Sequence, residues 1–303
     1  MTNLINNVDP QYIELARRVK ETGNKRGDRT GTGTLSVFGG EMRFNLQEGF
    51  PMLTTKFVPF RLVASEFLWF AKGMTDIKYL LENDNHIWDD DAYRFYLEQE
   101  VLNNYDFSMN KDEFLEYAKK HGFDLGNIYG AQWRNWNEEG IDQLNDVIQE
   151  IKSNPESRRL YISAWNPSTF GDIALPPCHV AFQFYVHDGK LSCKFMMRSS
   201  DVFLGLPFNI ASYALATHVV AKMCDLEVGE LIYSGGDIHL YLNHLKQIDE
   251  QISREPLPLP ELHILKKHDR IEDYELDDFL LLDYKPHKAI KGKVSVGLKE
   301  ETK

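Results

Sequence analysis

The strongest chemical signal in the sequence is Ala174-Leu-Pro-Pro-Cys178-His179, set directly before an alternating apolar run. A cysteine beside a histidine is a nucleophile once its surroundings favour the thiolate, and the two prolines fix the path by which the chain reaches it. Taken alone, a cysteine at a strand edge is more often an ordinary structural thiol. Arginines shift that balance. Ser157-Arg158-Arg159 opens one strand-like run and Arg198-Ser199-Ser200-Asp201 closes another, so guanidinium groups and a hydroxyl are available for a phosphate. Gly31-Thr-Gly33 lacks the Gly-Lys-Ser/Thr ending of a triphosphate-binding loop, which leaves nucleoside triphosphate chemistry without support. Glu66 falls inside the apolar run FRLVASEFLWFAK, where a carboxylate needs a reason to be buried.

The chain that must position these groups has 303 residues, 43% of them hydrophobic, enough for a large core. Its 34 basic and 46 acidic side chains give a net charge of −12; that disfavours DNA as a partner, whereas a small anionic ligand needs only a few arginines. Cys178, Cys193 and Cys224 are too few for a disulfide framework, and no apolar run is long enough to span a membrane. With no signal-peptide pattern at the start, the expected location is the cytoplasm.

Residues 11–22 place Ile13, Ala16 and Val19 at helical spacing before Gly23. Residues 35–46 alternate as a strand, with Gly39-Gly40 suggesting a bulge. Residues 60–72 predict a buried helix. Residues 89–123, acidic and aromatic but poor in Pro, Gly and Ser, predict a helical insertion rather than a linker. A helix over 141–151 ends at Asn154-Pro155. Strands follow at 160–164, 180–186 and 191–197, the last two joined at His187-Asp188-Gly189 as a hairpin. A long apolar helix from about 210 to 223, a strand at 228–234 and a helix at 240–253 complete the order. Helices and strands mix without a regular βαβ period, so the fold class is α+β in a single domain.

Six segments, in this order, resemble the motifs of the thymidylate synthase family: DRTGTGTLSVFGGEMRFNLQEGFPMLTTK, LGNIYGAQWR, ESRRLYISAWNP, ALPPCH, RSSDVFLGLPFNIASYALATH and GGDIHLYLNH. The resemblance runs from Tyr12 to about Val296, apart from 89–123. It implies one domain over 1–303, with a large mixed sheet covered by helices and the sheets of two subunits packed across a homodimer interface. It also implies C5-methylation of dUMP, with 5,10-methylenetetrahydrofolate as carbon donor and reductant and no metal. By the same resemblance Cys178 is the nucleophile, kept ionised by Arg198. Arg29, Arg198 and Ser199 bind the phosphate, joined by Arg158 and Arg159 from the partner subunit. Asn209 reads the pyrimidine edge, although an asparagine here also suits a helix N-cap. His239 and Tyr241 hold the ribose hydroxyl; Glu66, Tyr129 and His179 form a polar network for proton transfer. Asp201 meets the pterin, Trp88, Ile87 and Leu175 give folate an apolar wall, and Lys56 contacts the glutamyl tail. For Trp88 and Ile87 plain core packing is the alternative.

Three departures stand against the family pattern. Met197 replaces the glutamine before Arg198-Ser199, Asp91 replaces a second tryptophan common after Ile87-Trp88, and residues 297–303 extend the usual end at Val294-Ser295-Val296. Met197 and the extension suggest an alternative product: dUMP hydroxymethylation with the same folate, water taking the place of hydride. The extension also implies that closure of the site works differently here or is weaker.

Overall fold

The computed structural model describes residues 6–102 and 108–295. Helix α1 (Val8–Thr22) leads into strands β1 (Asn24–Arg26) and β2 (Thr34–Asn45), then the helices α2 (Phe60–Ala71), α3 (Lys78–Glu82), α4 (Asp89–Leu102), α5 (Lys111–His121), α6 (Tyr129–Arg134) and α7 (Gln143–Ser153). Strands β3 (Tyr161–Ser163), β4 (His179–His187) and β5 (Lys190–Asp201) precede α8 (Gly205–Met223), β6 (Glu227–Tyr241), α9 (Leu245–Ile252), β7 (Glu261–Ile264) and β8 (Phe279–Leu282). The α+β expectation holds: six strands form a mixed sheet in the order β1-β2-β6-β5-β4-β3, and β7 and β8 form a separate pair.

Local chemistry accounts for most of these elements. Alternation of Val180, Phe182, Phe184 and Val186 against Leu191, Cys193, Phe195 and Met197 makes β4 and β5 an antiparallel hairpin. Asp188 and Gly189, both at positive φ, turn it, as a two-residue hairpin loop requires. Helix α2 is mostly apolar and buried from Val63 to Ala71, and α8 packs against β5 and β6 with most of its length buried. In the 89–123 segment, Asn110 and Glu113 form a capping box that starts α5.

Two features tie the first helix to the region that carries the chemistry. Tyr12 of α1 donates its hydroxyl proton to the Val202 carbonyl at 2.8 Å, just beyond the end of β5. Asp9, fully buried, accepts from the backbone N–H and hydroxyl groups of both Thr54 and Thr55, which fixes the segment entering α2. A buried carboxylate is tolerated when its oxygens are bonded in this way.

The structure corrects three expectations. No bulge shifts β2: Gly39 has positive φ and is skipped in the pairing, but the register with β6 is the same on both sides of it, from Thr34↔Tyr241 to Asn45↔Glu230. The strand predicted at 228–234 continues through Gly235-Gly236 to Tyr241. Consequently the helix predicted from 240 begins only at Leu245, after a 3₁₀ turn over Leu242–His244. The extension at 297–303 lies outside the described residues, as does Val296.

Candidate active site

Parallel pairing of β5 with β6 builds the floor of the site. Its register sets Ser199 opposite Asp237 and Asp201 opposite His239, so residues some forty positions apart in sequence share one sheet edge. A Cβ on Gly236 would lie 3.1 Å from the Arg198 carbonyl oxygen; the glycine admits this close approach. From the β4 side, the Arg198 N–H donates to the Cys178 carbonyl at 2.9 Å, placing the cysteine beside the arginine. One cavity of about 440 Å³ opens over this floor, within the usual range for a small-ligand pocket.

That cavity gathers Arg29, Glu66, Trp88, Tyr129, Leu175, Cys178, His179, Arg198, Ser199, Asp201, Asn209, His239 and Tyr241. Asn209 is inside α8, whose helical residues begin at Gly205, so its N-cap alternative is excluded. Asp201 has a structural duty as well: its Oδ1 accepts from the N–H groups of Phe203 and Leu204 at 2.9 and 3.3 Å, holding the turn into α8.

Four predicted side chains lie elsewhere. Ile87 does not line the cavity and packs against the core. Lys56, expected as a contact for an extended anionic tail, is buried instead: its ammonium donates to the Phe203 carbonyl and lies 3.9 Å from the centre of the Phe203 ring. Burial pulls its pKa down to about 8 despite nearby Asp201. Arg158 and Arg159 are exposed and do not line the cavity of their own chain.

Arg198 is held on three sides. Its Nε and Nη2 donate to the carbonyls of Pro177 and Pro176 at 2.8 and 2.7 Å, and its guanidinium lies 5.3 Å from the centre of the Trp165 ring. Nη2 is 4.0 Å from Cys178 Sγ. Burial nevertheless pushes the Cys178 thiol above its ordinary range, with Arg198 offsetting only part of the effect. Arg198 thus pulls toward the thiolate, but burial outweighs it.

Above the thiol, the Tyr129 hydroxyl accepts from the Cys178 N–H at 2.7 Å, and the Tyr129 ring stacks on His179 at 3.9 Å between centroids. His179 Nδ1 is 2.7 Å from the Tyr213 hydroxyl, and burial lowers its pKa to about 3, leaving the imidazole neutral. Glu66 bonds to neither Tyr129 nor His179 directly; its Oε1 accepts from the Trp88 indole N–H at 2.8 Å. Desolvation raises its carboxyl to about 7, a shift that the Trp88 bond only partly opposes. Trp88 is thus both an apolar wall and a hydrogen-bond partner.

Sequence reasoning missed several groups that the fold brings in. Asp237 takes the Ser36 hydroxyl and Arg26 at 2.7 Å each and lies 3.3 Å from His239 Nδ1. Asp28 accepts from Thr30 and Gly33 and so shapes the turn that presents Arg29. Val294 and Ser295 reach the cavity rim, where Thr32 and Ser295 hydroxyls are 3.2 Å apart. A charged residue on the partner strand is the only sequence-level signal for Asp237, and it appears only once the β2–β6 and β5–β6 registers are known. Met197 also lines the cavity, though it is buried and its thioether accepts from the Ser200 hydroxyl at 3.7 Å. No cluster of three or more potential metal ligands occurs among the described residues.

The family model described as "Thymidylate synthase" matches residues 10–296. Among curated proteins, the chain is 50% identical over 313 aligned residues to a "Thymidylate synthase" of Listeria monocytogenes serotype 4a (strain HCC23), and 49% identical to that of serotype 4b (strain CLIP80459). Each alignment covers 94% of this chain and 99% of the relative. With the thiol, the arginines and the buried glutamate gathered in one cavity and the match spanning nearly the whole chain, this protein is an enzyme of the thymidylate synthase family.

Proposed function

We propose that the protein converts dUMP to dTMP by reductive methylation at carbon 5, giving dihydrofolate from 5,10-methylenetetrahydrofolate. The observation that carries this reading is the convergence of a half-buried thiol, a guanidinium 4.0 Å from it and the Asn209 amide of α8 in one cavity. Carbon 5 of a uracil is too weak a nucleophile until a group adds at carbon 6, and a thiolate adds there reversibly. Cys178 is that group. Arg198, Arg29 and Ser199 bind the 5′-phosphate, and His239 and Tyr241 bind the ribose.

Asn209 accepts from uracil N3–H and donates to O4. Glu66, with its carboxyl near neutrality, both gives and takes protons around O4 and carbon 5. Trp88 and Leu175 offer a flat apolar wall next to the Asp201 carboxylate, an acceptor that suits the N–H donors of a reduced pterin; folate supplies the one-carbon unit and the hydride. Trp88, fixed by its bond to Glu66, also keeps water away from the reacting carbon, which favours a methyl rather than a hydroxymethyl product. The protein with dUMP and 5,10-methylenetetrahydrofolate is expected to give dTMP and dihydrofolate in equal amounts.

We further read Arg158 and Arg159 as completing the phosphate site of a second subunit. Their exposure away from their own cavity supports this, as do Phe38 and Tyr185, exposed on sheet strands. The three unpaired cysteines suit a reducing cytoplasm. Residues 89–123 are read as a helical insertion in a single domain.

The assignment of the base reader has its own test. Asn209→Asp should move preference from dUMP toward dCMP by at least about tenfold in relative kcat/KM, because a carboxyl edge suits cytosine N3 and N4 and mismatches uracil N3 and O4. Competition between the two nucleotides measures it; an unchanged ratio removes Asn209 from this role.

A further inference from the structure

The Asp91 departure from the family pattern is not used by the chemistry above, yet its side chain lines the active-site cavity. It lies on α4 one turn from Arg94, whose Nη2 is 3.2 Å from Asp91 Oδ1 and whose Nη1 is 2.7 Å from Glu98 Oε1. The same Nη2 donates to the carbonyl of Ala174, eighty residues away in sequence and four before Cys178. Exposure of the two side chains is only 15% and 17%, so this is not a solvent-screened surface pair. Helix α4 is itself anchored: Lys111 at the start of α5 binds Asp90 at 2.5 Å, and the His86 ring lies 2.9 Å from Asp89. On its other side the Ala174 segment is tied by its N–H to the Leu125 carbonyl at 2.9 Å.

We propose that Arg94 is a positioning residue for the nucleophile: it holds the Ala174 carbonyl, and it compensates Asp91 so that this cavity wall presents no uncancelled negative charge to the Cys178 thiol. The proposal rests on the reading of Cys178 as nucleophile and gives the 89–123 segment a part in the site. The charged groups facing the thiol are Arg198 from β5, Arg29 from the β1–β2 turn, Asp201 from the end of β5 and Asp91 from α4; the Tyr129 hydroxyl of α6 bonds to the cysteine backbone. Those facing Asp91 are Arg94, Arg29 and Asp90. Of the two carboxylates near the thiol, Asp91 is the one with a dedicated guanidinium on its own helix.

The test reads the full-length protein in two ways that do not depend on turnover. One is the pH midpoint of iodoacetamide alkylation at Cys178, followed by peptide mass spectrometry so that Cys193 and Cys224 are counted separately. The other is hydrogen exchange in the peptide spanning 174–180. Arg94→Ala should raise the alkylation midpoint by about half a pH unit or more, since it leaves Asp91 uncompensated, and should speed exchange several-fold. Asp91→Asn should lower the midpoint and leave exchange unchanged. The double variant should return the midpoint toward that of the unaltered protein while exchange stays fast. A midpoint unmoved in Asp91→Asn, or one not restored in the double variant, overturns the charge role. Unchanged exchange in Arg94→Ala overturns the clamp. Failure of the family reaction would appear separately, as absence of dTMP from the unaltered chain.

Discussion

Cys178→Ser should lower turnover by roughly 10⁴-fold or more while dUMP binding stays within about threefold of the unaltered protein. A serine hydroxyl ionises far less readily than a thiol, and this site already pushes the thiol upward by burial, so the alkoxide would be scarcer still. The groups proposed for phosphate and base, Arg198, Arg29, Ser199 and Asn209, are untouched by the change. Rapid-quench turnover and calorimetric dUMP binding separate the two effects; substantial residual turnover would remove Cys178 from the nucleophile role. The same variant tests the shared site. Mixed with an Arg158→Ala chain, it should recover part of the lost activity, because the hybrid dimer collects both lesions in one site and leaves the other whole. No recovery, with subunit exchange demonstrated, would mean that each site is complete within one chain.

Glu66→Gln should lower kcat by about 10²- to 10⁴-fold with a smaller effect on dUMP KM, the range expected when a positioned acid–base group is lost. Its carboxyl, raised to about 7 by burial, is poised between proton donor and acceptor at neutral pH, and glutamine is neither. The limb of the kcat profile near pH 7 should therefore vanish in the variant. Stability moves the other way. An unfolded glutamate ionises near 4.5 and the folded one near 7, so between those values the folded state binds more protons and stability falls as pH rises. Above the window this amounts to roughly 3 kcal/mol, which Glu66→Gln should recover if the amide keeps the Trp88 bond. Urea titrations at pH 5 and pH 8 check the sign: the variant should gain on the unaltered chain at pH 8 and little at pH 5.

How far the sequence exposes this architecture differs from element to element for physical reasons. Alternation and an Asp-Gly turn made the β4–β5 hairpin legible, since its pairing is local. The extension of β6 past Gly235-Gly236 was hidden because two adjacent glycines read as a break. In the fold they serve close approach: a Cβ on Gly235 would lie 2.1 Å from the Tyr233 hydroxyl, and one on Gly236 would crowd the Arg198 backbone. That extension carries His239 and Tyr241, so their place on a strand beside Asp201 follows from long-range parallel pairing, which no local pattern encodes. Glu66 was legible as an anomaly, a carboxylate in an apolar helix, but its partner Trp88 was read only as a wall. Lys56, given by the resemblance as a contact for the glutamyl tail, is held inside by the Phe203 carbonyl and ring, a burial that no local pattern around it encodes. Asp91 stands out in the sequence only as a departure from the family pattern; its pairing with Arg94, and the hold of Arg94 on Ala174, depend on the fold.

Reductive methylation is decided by identifying the nucleotide made from dUMP and 5,10-methylenetetrahydrofolate, by mass spectrometry, while dihydrofolate is followed by its near-ultraviolet absorbance. The expected product is dTMP, with one dihydrofolate for each nucleotide converted. Hydroxymethyl-dUMP accompanied by tetrahydrofolate would contradict it and make Met197, in the cavity wall, the residue that admits water.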